Sequence, residues 1–180
     1  MDSTQIRELM VEALRGRTFV GDSVYPYRDW PTSVEMFPLL IVSAPFEKKQ
    51  SLGRNAPQFH TVTTIRVMGR VIAYDDEDGN TGAEKANASI ERLKLEVEKA
   101  VINYPPLQKV IQQFVSIESQ TDVSSEGNGH TGQLFAHFHI EYYQGPDDFY
   151  PIEATPIHEI HITEKQPDGT PKTGLIINLK

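Results

Sequence analysis

The longest regular alternation of apolar and polar residues lies in the middle of the chain. Residues 59–74 alternate apolar and polar side chains and are rich in β-branched types, which predicts a long strand. From Ala83 the apolar residues recur every three or four positions, which predicts an amphipathic helix of about five turns. Pro105 and Pro106 end this helix, because proline cannot continue it. An acidic loop with two glycines, residues 75–82, joins the strand to the helix.

An amphipathic pattern at the start of the chain predicts a first helix over residues 3–15. Ser3 or Thr4 can cap its N-terminus, and Gly16 can end it. Residues 18–24 follow as a short strand or extended segment. A loop rich in aromatic residues and proline comes next, and its Trp30 is expected to hold the loop against the core.

The next apolar run, residues 38–43, is bounded by prolines and predicts a buried strand. Residues 47–57 are polar and lack periodicity, so we expect a loop between two antiparallel strands, or a long hairpin that projects from the body. Two later alternating runs, residues 114–123 and 132–143, flank a glycine-rich turn and predict a β-hairpin.

The strands therefore cluster in hairpins and do not alternate regularly with helices. This order predicts an α+β fold with a mostly antiparallel sheet and two main helices on one face. After residue 145 prolines divide the chain, and residues 157–163 and 173–179 predict a C-terminal β-hairpin or arm. We expect a single domain with its core in residues 1–145 and an extension over residues 146–180.

Composition narrows the classes of function. The formal net charge is −8, which argues against a nonspecific nucleic-acid binder, since such proteins need a basic surface. The chain has no cysteine, so disulfides and thiolate-based sites are excluded. No signal peptide or membrane-spanning stretch is evident, so we expect synthesis in the cytoplasm and no membrane contact.

Two clusters invite a metal-binding interpretation. The acidic loop fails the spacing of a calcium-binding loop, because its acids are consecutive and its first glycine is out of register, so a solvated turn is the favoured interpretation. His137 and His139 share one strand face and, with Glu159 or His161, could hold a transition metal. Ordinary surface histidines are the favoured interpretation, and no metal, cofactor or catalytic residue is assigned. No nucleophile motif or phosphate-binding loop is present, so we expect no enzyme activity.

The layout across residues 4–162 resembles that of one known family. The features are the N-terminal helix, the strand from Phe59, the acidic turn, the long helix with Leu93 and Val97, and the segments 18–20, 22–23, 37–42, 125–127, 140–143, 149–151 and 156–157. In these features the chain is similar to the tail terminator proteins of long-tailed bacteriophages, the tail-completion group that includes minor tail protein U. The resemblance thins over residues 163–180.

This resemblance implies a structural virion protein of the tail or neck, assembled in the host cytoplasm. It implies a hexameric ring that caps the tail tube, stops tube polymerisation and meets the head–tail connector or neck protein, and the tail sheath if the tail contracts. The acidic balance would let DNA pass through the ring without specific binding. The alternatives are another neck or baseplate adaptor of the same particle, or a small metal-dependent enzyme that uses the His137/His139 strand.

Exposure and the lack of a covering partner point to two contact regions, the 47–57 loop and the arm after Gln144. The interface residues predicted from them are Lys48, Lys49, Arg54, Phe149, Tyr150, His158 and His161.

Overall fold

The elements predicted from these patterns are present in a computed structural model of the protein. It describes residues 1–27, 33–54, 57–76, 81–126, 129–150, 159–161, 164–165, 171–172 and 176–178. The helices are α1 (Ser3–Leu14), α2 (Gly82–Ile102) and α3 (Pro105–Gln108). The strands are β1 (Val24–Pro26), β2 (Leu39–Ser51), β3 (Phe59–Tyr74), β4 (Gln113–Glu126), β5 (Gly129–Gln144), β6 (Glu159–His161), β7 (Glu164–Lys165), β8 (Pro171–Lys172) and β9 (Ile176–Asn178). Short 3-10 turns occur at Val34–Met36 and Pro146–Asp148.

The first five strands form one sheet in the order β1-β2-β3-β5-β4. β1 runs parallel to β2, and the other neighbours are antiparallel. β3 and β5 pair along their whole length, from Phe59 opposite Gln144 to Tyr74 opposite Gly129. The predicted β4–β5 hairpin is confirmed, with strands longer than expected. The α+β class with a mostly antiparallel sheet is confirmed as well.

Both main helices pack on one face of this sheet. The odd-numbered positions of β3 from Thr61 to Val71 are buried, because their side chains point to the helices. α1 contributes Ile6, Met10 and Leu14 to the core, and α2 contributes the stripe Ile90, Leu93, Val97 and Val101. The amphipathic patterns therefore determine which side of each helix is buried.

Helix α2 lies so close to the sheet that Gly132 has no room for a side chain. A methyl group there would lie 2.8 Å from a Val71 methyl and 3.1 Å from the Ala86 carbonyl oxygen. This close approach brings the apolar stripe of α2 onto the sheet.

The start of α1 differs from the prediction. Asp2 caps the helix, not Ser3 or Thr4: its carboxylate accepts a hydrogen bond from the Gln5 N–H at 2.8 Å, and the Gln5 side chain accepts one from the Asp2 N–H. Ser3 already has helical geometry, so its hydroxyl is one position too late to cap. After Arg15 the chain leaves the helix through Gly16, whose φ of 65° suits glycine, as predicted.

Two predicted boundaries in the first half of the chain are wrong. Residues 18–22 form turns, and the extended strand begins only at Val24. β2 runs on through Ser51, so the first five residues of the predicted 47–57 loop are strand. The periodicity was missed because residues 45–51 are mostly exposed on both faces of an edge strand. The β2–β3 hairpin also does not project alone, because β5 holds β3 down to Phe59.

The chain divides into two compact units, Met1–Phe149 and Tyr150–Lys180. In the second unit β6 pairs antiparallel with β9, and β7 pairs antiparallel with β8. β6 and β9 lie within the two C-terminal stretches predicted to be strands. Trp30 and residues 77–80 of the acidic loop lie outside the described residues. Within the described part of the chain, no helix has the length and apolar character needed to cross a membrane.

Candidate interface surfaces

The far half of β2 carries exposed apolar side chains. A register shift between Ser43 and Phe46 interrupts the pairing with β3, and the strand changes there from buried to largely exposed. Phe46 is 61% exposed, and Leu52, just past the strand end, is 48% exposed. Large exposed apolar side chains at a strand edge are candidates for protein contacts. We call residues 46–51 the outer β2 segment.

Alternate residues of the outer β2 segment face opposite sides of the sheet. Phe46, Lys48 and Gln50 pair with even-numbered positions of β3, on the face opposite the helices. Glu47 and Lys49 lie on the helix side. Lys48 is exposed, as predicted for a contact residue, but it lies in a strand and not in a loop.

Lys49, in contrast, belongs to a polar network that holds the edge of the sheet together. Its ammonium lies 2.9 Å from Glu47 Oε1 and donates to the Gln144 side-chain oxygen. Thr61 Oγ1 donates to the same oxygen of Gln144 at 2.9 Å. The Gln144 Nε2 donates at 2.7 Å to the carbonyl oxygen of Met1. Lys49 therefore has an intramolecular role that its sequence context did not predict.

The buried end of this network is a tyrosine–carboxylate pair. Tyr142 is fully buried, and its hydroxyl donates to Glu47 Oε2 at 2.7 Å. Burial and the neighbouring Glu47 carboxylate raise the pKa of Tyr142 far above its ordinary value. Burial alone would raise the pKa of Glu47, but hydrogen bonds from Tyr142 and Lys49 outweigh it and hold that pKa below 4.5. Both groups thus remain in the protonation states that suit the hydrogen bond.

Of the arm residues predicted as contacts, Phe149 lies beside this network. Its ring meets Phe59 edge-to-face with centroids 5.5 Å apart, and the Lys49 ammonium lies 5.5 Å from its centroid. Tyr150, the next residue, is 64% exposed. The structure therefore brings Lys49 and Phe149 together, which sequence reasoning did not foresee.

The remaining predicted contacts fall on separate segments of the chain. Arg54 is exposed at the bend after β2. His161 pairs with Ile176 through β6 and β9. His158 lies outside the described residues.

His137 and His139 share the sheet face opposite the helices, as their spacing predicts. His139 Nδ1 lies 3.1 Å from Thr64 Oγ1, and its Nε2 lies 3.8 Å from Glu118 Oε1. Burial, and then the charge of Arg66 opposite it in the register, lower the pKa of His137. Among the described residues, no three His, Asp or Glu side chains are grouped closely enough to hold a metal ion.

In the described part of the acidic turn, Asp75 and Asp76 make specific hydrogen bonds. Asp75 accepts the Gly82 N–H at 2.8 Å, and its other oxygen lies 3.3 Å from His130 Nε2. The hydrogen bond from the Gly82 backbone, with His130 beside it, lowers the pKa of Asp75. The Asp76 carboxylate accepts hydrogen bonds from the Thr81 hydroxyl and the Lys85 ammonium. These carboxylates stabilise the start of α2, a role that the Ca²⁺-loop comparison could not reveal.

No protein-family model matches the sequence, and no curated protein matches it.

Proposed function

We propose that this protein is a tail terminator of a long-tailed bacteriophage. It would form a ring of six copies on the end of the tail tube, stop the addition of tube subunits and join the tail to the neck or head. The proposal combines the resemblance in layout with the α+β core and its antiparallel sheet.

One observation supports the proposal most directly: the edge of the sheet exposes large apolar side chains near positive charges. Phe46 and Leu52 are exposed on the outer β2 segment and just beyond it, and Lys48 and Arg54 add positive charge there. An apolar centre with charged groups around it is the composition of a protein–protein interface. In a ring every copy needs two different contact surfaces, because ring contacts are heterologous.

The net charge of −8 supports the passage of DNA through such a ring. Like charges repel, so a polyanion would not adhere to an acidic lumen. This part of the proposal predicts slower DNA ejection when acids that line the ring are neutralised, and unchanged ejection kinetics would contradict it.

The decisive experiment deletes the gene for this chain and examines the tails that assemble without it. A terminator predicts overlong tails without heads, measured by electron microscopy, because nothing then stops the tube. Tails of normal length would contradict the proposal and favour a neck or baseplate adaptor.

Resupplying variants of the chain tests the contact surface. Phe46→Ser combined with Leu52→Ser should fail to restore normal tail length, because the exposed apolar centre is lost. Leu95→Ser is the matched control: Leu95 is 55% exposed on α2, away from the β2 edge, and this variant should restore normal length. Circular dichroism of each purified variant checks that the chain still folds.

A further inference from the structure

The sheet has an edge at the outer half of β2 and another at β4 that no described strand pairs with. β1 pairs with β2 only over residues 40–42, and no described strand pairs with the outer edge of β2 over residues 46–51. β4 is the last strand on the other side, so one edge of residues 113–126 is free of a partner among the described strands. A free edge presents a row of unpaired backbone N–H and C=O groups, which readily add another strand.

The two edges carry opposite charge on the same face of the sheet. Lys48 of the outer β2 segment pairs with Val62, an even-numbered position of β3. Glu118 of β4 pairs with His137, which pairs with Arg66, also an even-numbered position of β3. Asp122 lies four residues further along β4 on that same face, and both acids are exposed. Lysine and the two carboxylates therefore point to the side of the sheet away from the helices.

These charges discriminate between the possible edge pairings. Two β2 edges would bring lysines together and two β4 edges would bring carboxylates together, and like charges across strands are destabilising. Only a β2 edge against a β4 edge brings opposite charges together. Lys48 and the register shift also protect the β2 edge from unspecific strand addition.

We propose that the outer β2 segment of one copy pairs with β4 of the next copy, so that the two sheets become continuous. Within one sheet β2 and β4 run in opposite directions, because β3 and β5 lie between them and each step is antiparallel. A second copy placed beside the first in the same orientation therefore adds an antiparallel partner. The contact joins two different surfaces, which is the type that closes into rings.

One register allows Lys48 to reach both carboxylates of the facing β4. With Lys48 opposite Gln120, the two carboxylates Glu118 and Asp122 are its diagonal neighbours on the facing strand. Diagonal positions lie about 7–8 Å apart, within reach of a long lysine side chain. In the same register Phe46 lies opposite Asp122.

This inference rests on the proposed function, because it specifies the contact between copies of the ring. Its test measures association of the purified full-length chain by sedimentation equilibrium at low salt, where surface charges are least screened. It therefore fails or succeeds independently of the tail-length experiment.

Charge reversal gives the sharpest test. Lys48→Glu makes both edges acidic, and Glu118→Lys with Asp122→Lys makes both edges basic. Each variant alone should associate about tenfold more weakly per contact or worse, since an attractive pair becomes repulsive. An equimolar mixture should regain wild-type association, because in a mixed assembly every acidic edge meets a basic one. Lys94→Glu on α2 is the control with the same charge change, and it should leave association unchanged.

Cysteine crosslinking tests the register. The chain has no cysteine of its own, so Lys48→Cys with Gln120→Cys introduces the only thiols. Within one copy three strand spacings, about 14 Å, separate the two strands, and Gln120 also lies seven residues along β4 from Gln113, which is level with Lys48, so the two positions are beyond the reach of a disulfide. Oxidation should therefore yield covalent oligomers and no internal crosslink, whereas Lys94→Cys with Gln120→Cys should remain monomeric on a denaturing gel.

Three results would overturn the inference. The wild-type chain could stay monomeric at millimolar concentration, or the mixture of the two charge variants could associate no better than either alone. The third is a loss of association in Lys94→Glu as large as the loss in Lys48→Glu. If any of these three results is found but omission of the chain still gives overlong tails, only this contact is refuted and the proposed function stands.

Discussion

Replacing Tyr142 by phenylalanine tests the network that anchors the sheet edge. The substitution keeps the buried ring and removes only the hydroxyl that donates to Glu47 at 2.7 Å. Glu47 then keeps Lys49 on one oxygen and loses its buried donor on the other. Any loss of stability therefore measures one hydrogen bond to a carboxylate.

A hydrogen bond to a charged group stabilises a protein by about 1.5–3 kcal/mol. The Glu47 side chain is 26% exposed, so water compensates part of the loss and the lower end of this range applies. We expect the free energy of unfolding at about pH 7 to fall by about 1.5 kcal/mol.

The effect should depend on pH in one direction. The pKa of Glu47 lies below 4.5 in the folded chain, so its ionised form contributes stability that is fully present above pH 4.5. That contribution is lost as the pH falls below 4.5 through the folded-state pKa. In the variant the pKa of Glu47 is lowered less, so the difference from the wild type should shrink to about 1 kcal/mol or less in acid, the value for a hydrogen bond between neutral groups.

Urea denaturation at about pH 7 and about pH 3 measures both quantities. Tyr143→Phe is the matched control, because the neighbouring tyrosine is 43% exposed and points to the other face of β5. It should change stability by less than about 0.5 kcal/mol. Equal losses for the two tyrosines, or a loss for Tyr142→Phe that grows in acid, would refute the reasoning.

Three further substitutions, measured by urea denaturation, test the packing of α2 on the sheet and the cap of α1. Gly132→Ala should destabilise by about 1–3 kcal/mol, because its methyl group would lie 3.1 Å from a backbone oxygen of α2, whereas Gly53→Ala, with open space around it, should be nearly neutral. Leu93→Ala should cost about 2–5 kcal/mol, because this side chain is fully buried, while the exposed Leu95→Ala on the same helix should cost less than about 0.5 kcal/mol. Asp2→Ala should cost about 1 kcal/mol through loss of the cap of α1, and no change would mean that another residue caps the helix.

The sequence alone was sufficient for the elements whose side chains divide between core and solvent. β3 and α2 were predicted almost to the residue, because a buried face imposes a period of two on a strand and of 3.6 on a helix. The antiparallel class followed from strands grouped in hairpins. The predicted loop in place of the outer β2 segment failed for the complementary reason: a strand exposed on both faces has no burial to impose a period.

Only the tertiary structure decided which residues act together. Lys49 is more than 90 residues from Tyr142 and Gln144 in the sequence, and only the pairing of β2, β3 and β5 brings it into one network with them. The same pairing leaves Lys48 on one edge of the sheet and Glu118 on the other, and no described strand pairs with either edge at these residues. Strand order and register are properties of the whole sheet, because they depend on long-range contacts that no local pattern of residues records.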